Sequence, residues 1–194
     1  VAIKEETLEK IEKVVKEKRQ DLIALTDTVY ATFPKEFNSV VGVIPKNTIC
    51  VYSYSKYFGV TGWRLGVIML HEDNIIDELI SRLPKEDVAK LDERYKIDSA
   101  TPEKIKFIDR LEMDSRDVAL AHTGGLSCPQ QCIMAIFSLF ELLDKDKEYK
   151  KSIQNILNKR ITDLYKNLEI EYQEGPEHTY YYTLLDIGKM AQQQ

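Results

Sequence analysis

Apolar residues Leu8, Ile11, Val14 and Val15 recur at helical spacing through residues 4–20, behind Thr7 or the acidic pair Glu5–Glu6, and predict an amphipathic helix. LIALT (22–26), a short apolar run with β-branched members that Asp27 bounds, reads as a buried strand. TICVYSY (48–54) and RLGVIML (64–70) read as two more strands. After His71 the period becomes helical: EDNIIDELISRL (72–83) is amphipathic and Pro84 stops it. A charged excursion of short helical pieces follows, and Thr101-Pro102-Glu103 opens a helix predicted to run to about Ala121. HTGGLSCPQQ (122–131) is a glycine-bearing loop, Pro129 begins another helix, and a long polar helix covers 147–167. EIEYQ and YYYTLLDI then look like strands of a smaller α+β unit. Strands separated by helices or long crossovers predict an α/β layer rather than a β-sandwich. There are no internal repeats, and a domain change is expected within 145–168.

Composition narrows the functional classes. The chain of 194 residues is 43% hydrophobic and 30% charged, which suits a packed core. A net charge of −5 argues against nucleic acid or an anionic membrane as a general partner. Cys128 and Cys132 lie four apart, but no histidine (His71, His122, His178) or further cysteine completes a metal set with them. With Cys50 they read as buried or partly buried free thiols in a reducing compartment, hence a cytoplasmic location. No apolar run reaches the length of a membrane span and no signal-peptide pattern is present. Helical text beginning at Val1 and the ending DIGKMAQQQ lead us to expect a piece of a longer protein.

The candidate chemistry sits at two strand ends. LTDTVY puts Asp27 at the carboxyl end of the first strand, with Tyr30 three residues on, and SYSKYFGVTGWRLG (53–66) puts Lys56 at the carboxyl end of the second. Ligands of open α/β sheets bind outside those ends, so both residues can face one crevice. Gly59, Gly62 and Gly66 would let the backbone turn sharply and approach a ligand, while Arg64 and Ser53 would offer a forked cation and a hydroxyl to a phosphate. Pyridoxal 5'-phosphate requires such a set: a lysine amine for a Schiff base, an acid to keep the pyridine nitrogen protonated, a phenol beside the ring oxygen, and phosphate ligands. Taken singly the residues mean less. Lys56 alone reads as a solvated surface lysine and Asp27 as a strand-end turn residue. Of Tyr54 and Ser55, which alternate on the strand, one is plain packing.

D-x-x-Y followed by S-x-S-K-x(5)-G-x-R-x-G resembles the signature of the class I/II aminotransferases of pyridoxal-phosphate fold type I. The resemblance implies Lys56 as the Schiff-base lysine, Asp27 as the partner of the pyridine nitrogen, and Tyr30 as the partner of the ring hydroxyl. It also implies Ser53 and Arg64 as phosphate ligands, with Ser55 beside them. Thr123, and less directly His122, would reach the cofactor of a neighbouring subunit. Within the superfamily the chain is most similar to the aspartate 4-decarboxylase branch. That likeness is carried by VYSYSKYFGVTGWRLGVI, RLPKEDVAKLDERY, KFIDRLEMDSRDVALAHTGGLSCPQQ and TYYYTLLDI.

What the resemblance implies is a fold: residues 1–150 as the C-terminal part of a cofactor-binding large domain, with a helical excursion at about 72–118, and 151–194 as the start of a small α+β domain. It also implies conversion of L-aspartate to L-alanine and carbon dioxide, with transamination to a 2-oxo acid at the same site, in a homodimer or higher homo-oligomer. The family's phosphate loop, ring-stacking aromatic and substrate-carboxylate arginine have no counterpart between Val1 and Gln194, so the chain alone is expected to be inactive. Another aminotransferase, a carbon–sulfur lyase, a non-catalytic pyridoxal-phosphate-binding regulator and a purely structural role remain the alternatives.

Overall fold

A computed structural model describes residues 3–118, 126–172, 175 and 178–188. Its order is α1 (Glu5–Glu17), β1 (Ala24–Asp27), α2 (Val40–Val43), β2 (Thr48–Ser53), β3 (Gly66–Leu70), α3 (Ile75–Ser81), α4 (Lys85–Tyr95), α5 (Phe107–Val118), α6 (Cys128–Leu143) and α7 (Glu148–Asn167). Helices and a small sheet thus alternate in a mixed α/β arrangement, as the strand pattern predicts.

The sheet has the order β1-β2-β3. β1 pairs parallel to β2, with Asp27 opposite Val51, and β2 pairs antiparallel to β3, with Val51 opposite Ile68 and Ser53 opposite Gly66. Side chains alternate across a strand, so one face carries Ala24, Thr26, Cys50 and Tyr52, and the other Leu25, Asp27, Val51, Ser53 and Ile68. The apolar stripe of α1 covers part of the first face: Leu8 and Val15 pack with Val40 and Ile44 against Ile11, Leu22 and Ala24. The second face is open, with Leu25 72% and Ile68 49% exposed.

Three expectations are corrected. The helix predicted from Thr101 is a 3-10 turn over Pro102–Lys104, and α5 begins only at Phe107. The buried Arg110 guanidinium donates to the Pro102 and Ile105 carbonyls, and Asp77 accepts from Phe107 N, so side chains take the groups a continuous helix would pair. The described parts of EIEYQ and YYYTLLDI form no strand. A strand needs a partner edge, and here Tyr165 on α7 bonds Thr183 while Tyr30 bonds Tyr182 instead. Cys128 and Cys132 are exposed at the start of α6, whereas Cys50 is buried in β2. No group of three metal-ligating side chains occurs among the described residues, and no described helix is long and apolar enough to cross a membrane.

Candidate active site

The parallel pairing of β1 and β2 brings their carboxyl ends side by side, and every predicted site residue that the structure describes lies there. Asp27, Val51 and Ile68 form one row across the open face, and Ser53 and Gly66 the next. A strand spacing of about 4.8 Å and two rises of about 3.3 Å separate Asp27 from Ser53. Asp27 Oδ1 accepts from Val29 N at 2.9 Å, an Asx turn that steers the chain away from the sheet. Its other oxygen has no partner among the described residues.

β2 ends at Ser53, so Tyr54 and Ser55 belong to the turn rather than to the strand, and both are buried. The Ser53 hydroxyl lies 2.9 Å from Ser55 Oγ and 3.1 Å from the Leu65 carbonyl, and accepts from Ser55 N at 3.2 Å. Ser53, Ser55 and Arg64 line one cavity of about 320 Å³ together with Val51, Gly66 and Ile68. Arg64 spends one donor on the Thr61 carbonyl at 3.1 Å and keeps the rest without a partner among the described residues. Its backbone is left-handed, at φ 56° and ψ 46°, a conformation that costs a residue with a Cβ energy. At Gly66 a Cβ would stand 3.1 Å from the Tyr52 carbonyl of the neighbouring strand, so the glycine permits that close approach. Gly59 supplies a positive φ of 67° for the turn. Gly62 shows neither crowding nor positive φ, so its expected role in the turn finds no support.

Lys56 projects toward Tyr181, its Nζ 6.0 Å from the ring centroid, within cation–π range. Tyr30 meets Tyr181 at 5.2 Å between centroids and donates to the Tyr182 hydroxyl at 2.6 Å. Burial first, then that hydrogen bond and the neighbouring Tyr182, Tyr181 and Asp27, push the Tyr30 phenol far up. It therefore stays a proton donor throughout the physiological range. Thr123 and His122 lie outside the described residues.

A support network about the lysine turn was not legible beforehand. Phe58 stacks on Phe137 of α6 at 4.5 Å, Tyr57 packs edge-on to Phe33 and Tyr149, and the Tyr149 hydroxyl donates to the Tyr57 carbonyl at 3.0 Å. The Tyr54 and Ser138 hydroxyls bond at 2.8 Å, and Gln130 donates to the Trp63 carbonyl at 2.9 Å. The aromatics at 54, 57 and 58 are a visible cluster in the sequence, but their partners lie between 24 and 92 residues away.

The donor set suits a phosphorylated aromatic ring: an arginine and hydroxyls about one cavity for the anion, a carboxylate across the same sheet face, and a neutral phenol and an amine alongside. The family profile "Aminotransferase class I and II" matches residues 1–193. A Pseudomonas protein described as a bifunctional aspartate aminotransferase and L-aspartate beta-decarboxylase is 47% identical over 191 residues, which cover 98% of this chain and 36% of that protein. YugH of Bacillus subtilis (strain 168), an aminotransferase candidate, is 40% identical over 53 residues, 25% of this chain and 14% of its own. Among solved structures, Bna3p of Saccharomyces cerevisiae, a candidate kynurenine aminotransferase, is similar at a TM-score of 0.54 with 16% identity, over 91% of this chain and 34% of its own, a likeness of fold. The chain spans about a third of the curated relative it matches along nearly its whole length, and it belongs to the class I and II aminotransferase family.

Proposed function

We propose that the protein carrying this chain is a pyridoxal-phosphate-dependent enzyme that converts L-aspartate to L-alanine and carbon dioxide and also transaminates aspartate. The observation that carries the cofactor reading is the meeting of Ser53, Ser55 and Arg64 in one cavity on the sheet face that also bears Asp27. Bound there, pyridoxal phosphate would supply an electron sink for negative charge formed at the substrate's α-carbon.

This chain's residues take the remaining roles. Arg64, Ser53 and Ser55 would hold the phosphate. Asp27 would face the ring nitrogen and, as a carboxylate, favour its protonated form. Tyr30 would donate to the ring oxygen, and Lys56 Nζ would hold the cofactor and carry the α-proton. Thr123 would reach the neighbouring subunit's cofactor in a homodimer or larger homo-oligomer. Residues 1–150 would then be part of a large cofactor-binding domain and 151–194 the opening of a smaller one.

Aspartate as substrate rests on the 47% identity to the Pseudomonas protein over nearly the whole chain. Loss of the 4-carboxylate as carbon dioxide places a proton on the adjoining carbon and leaves alanine, whereas amino transfer leaves oxaloacetate. Groups around the 4-carboxylate set the partition. The open sheet face beside Asp27 admits water, which weakens every electrostatic contact in the site, so the 194-residue chain alone is expected not to turn over.

The test uses the full-length protein. Aspartate should yield alanine and carbon dioxide with some oxaloacetate, and Lys56→Ala should abolish both the activity and the visible absorbance of bound pyridoxal phosphate. Unchanged aspartate consumption by the Lys56 variant would refute the assignment. Oxaloacetate without alanine would favour a plain aminotransferase.

A further inference from the structure

The segment Thr179–Thr183 is held at both ends. Tyr180 is 5% exposed and sits in the left-handed region at φ 56°, a strained conformation that persists only where surroundings enforce it. Three residues on, the Thr183 hydroxyl bonds Tyr165 on α7. Between these anchors Tyr181 lies beside Lys56 Nζ and Tyr182 meets Tyr30, ring centroids 5.0 Å apart. Tyr182 is 63% exposed, so packing alone does not account for its place.

A phenol has one proton. In the structure Tyr30 gives that proton to Tyr182, at 2.6 Å. Facing an anionic oxygen, Tyr30 must instead donate outward, and the pair keeps its hydrogen bond only if Tyr182 becomes the donor. A chain of hydrogen bonds running one way polarises each member and strengthens the terminal bond.

We infer that Tyr182 is a positioning residue of the proposed cofactor site, donating to Tyr30 so that Tyr30 gives its single proton to the phenolic oxygen of pyridoxal phosphate. The inference rests on the cofactor reading above. It adds a residue from the far end of the chain that acts through Tyr30.

The experiment titrates the full-length protein with pyridoxal phosphate and follows the visible band. It compares wild type, Tyr182→Phe, Tyr30→Phe and the double variant, with far-UV circular dichroism as the check on folding. Removing one oxygen from an exposed ring spares the fold. Tyr182→Phe should weaken pyridoxal phosphate about three- to tenfold, the worth of one neutral hydrogen bond, and move the band maximum. In the Tyr30→Phe background the same change should do nothing further, because the relay is already cut. Wild-type affinity and an unmoved band in Tyr182→Phe would overturn the inference, as would an equal loss in both backgrounds. If the wild-type protein and Lys56→Ala give the same spectrum with no lysine-dependent band, the cofactor reading itself fails and takes this assignment with it.

Discussion

At Arg64 the backbone and the side chain make opposing demands. The left-handed backbone suits glycine, yet the chain places there the arginine that lines the candidate phosphate cavity. Replacing it should relieve strain and remove the anion's forked partner together. Arg64→Gly is expected to raise stability by about 0.5–1 kcal/mol, once glycine's own entropy cost is taken from the left-handed penalty, while sharply weakening binding of pyridoxal phosphate. Urea unfolding and a cofactor titration check the two halves, and a variant that loses stability would contradict the strain argument. Gly66 poses the reverse case. A Cβ at 3.1 Å from the Tyr52 carbonyl can be relieved only by moving backbone of the adjacent strand. Gly66→Ala should cost about 1–3 kcal/mol, as overpacking does, measured by thermal unfolding. Gly62→Ala, with open space around it, should cost much less.

Among the elements, the turn carrying Lys56 depends on helices far along the chain. Tyr57 is 2% exposed and lies between Phe33, Phe58 and Tyr149. Tyr57→Ala should cost about 3–5 kcal/mol by leaving a cavity in that cluster, and chemical denaturation would show it. α6 and α7 meet at Asp144, whose carboxylate accepts from Tyr149 N at 3.0 Å and Glu148 N at 2.9 Å. Those bonds, to Tyr149 first and Glu148 second, hold its carboxyl below the ordinary 3.8. A depressed carboxyl favours the folded state above its unfolded value, and that contribution fades as pH falls through the folded one. Stability should therefore decline below about pH 4, and less steeply in Asp144→Ala, as unfolding across pH would report. The helices α1, α3, α6 and α7 were legible because their apolar spacing is local. The break before α5 was not, because Arg110 and Asp77 impose it from outside the local period.

Over the whole molecule, α1 and α2 cover part of one face of the sheet, and the other face is open. Leu25 and Ile68, 72% and 49% exposed, lie on that face in the adjacent rows of Ile49 and Val51 and form an apolar strip of the kind that binds a hydrophobic dye. The 194-residue chain alone should bind such a dye. Joint substitution Leu25→Ser and Ile68→Thr should lower the fluorescence while changing stability by no more than about 0.5 kcal/mol. A dye signal untouched by the pair would mean that the exposed surface lies elsewhere, as on α6.

The amino-acid sequence by itself determined the three strands of the sheet, most helices and the residue types, Asp27, Tyr30, Ser53, Lys56 and Arg64, on which the proposed cofactor site rests. Period, turn chemistry and side-chain type are all carried within a few residues of chain. Only the tertiary structure decided that Ser53, Ser55 and Arg64 share a cavity, that Gly66 and not Gly62 makes the close approach, and that Tyr181 and Tyr182 stand over Lys56 and Tyr30. Those are contacts between segments up to 152 residues apart, and no local pattern encodes which distant ring will fill a given space.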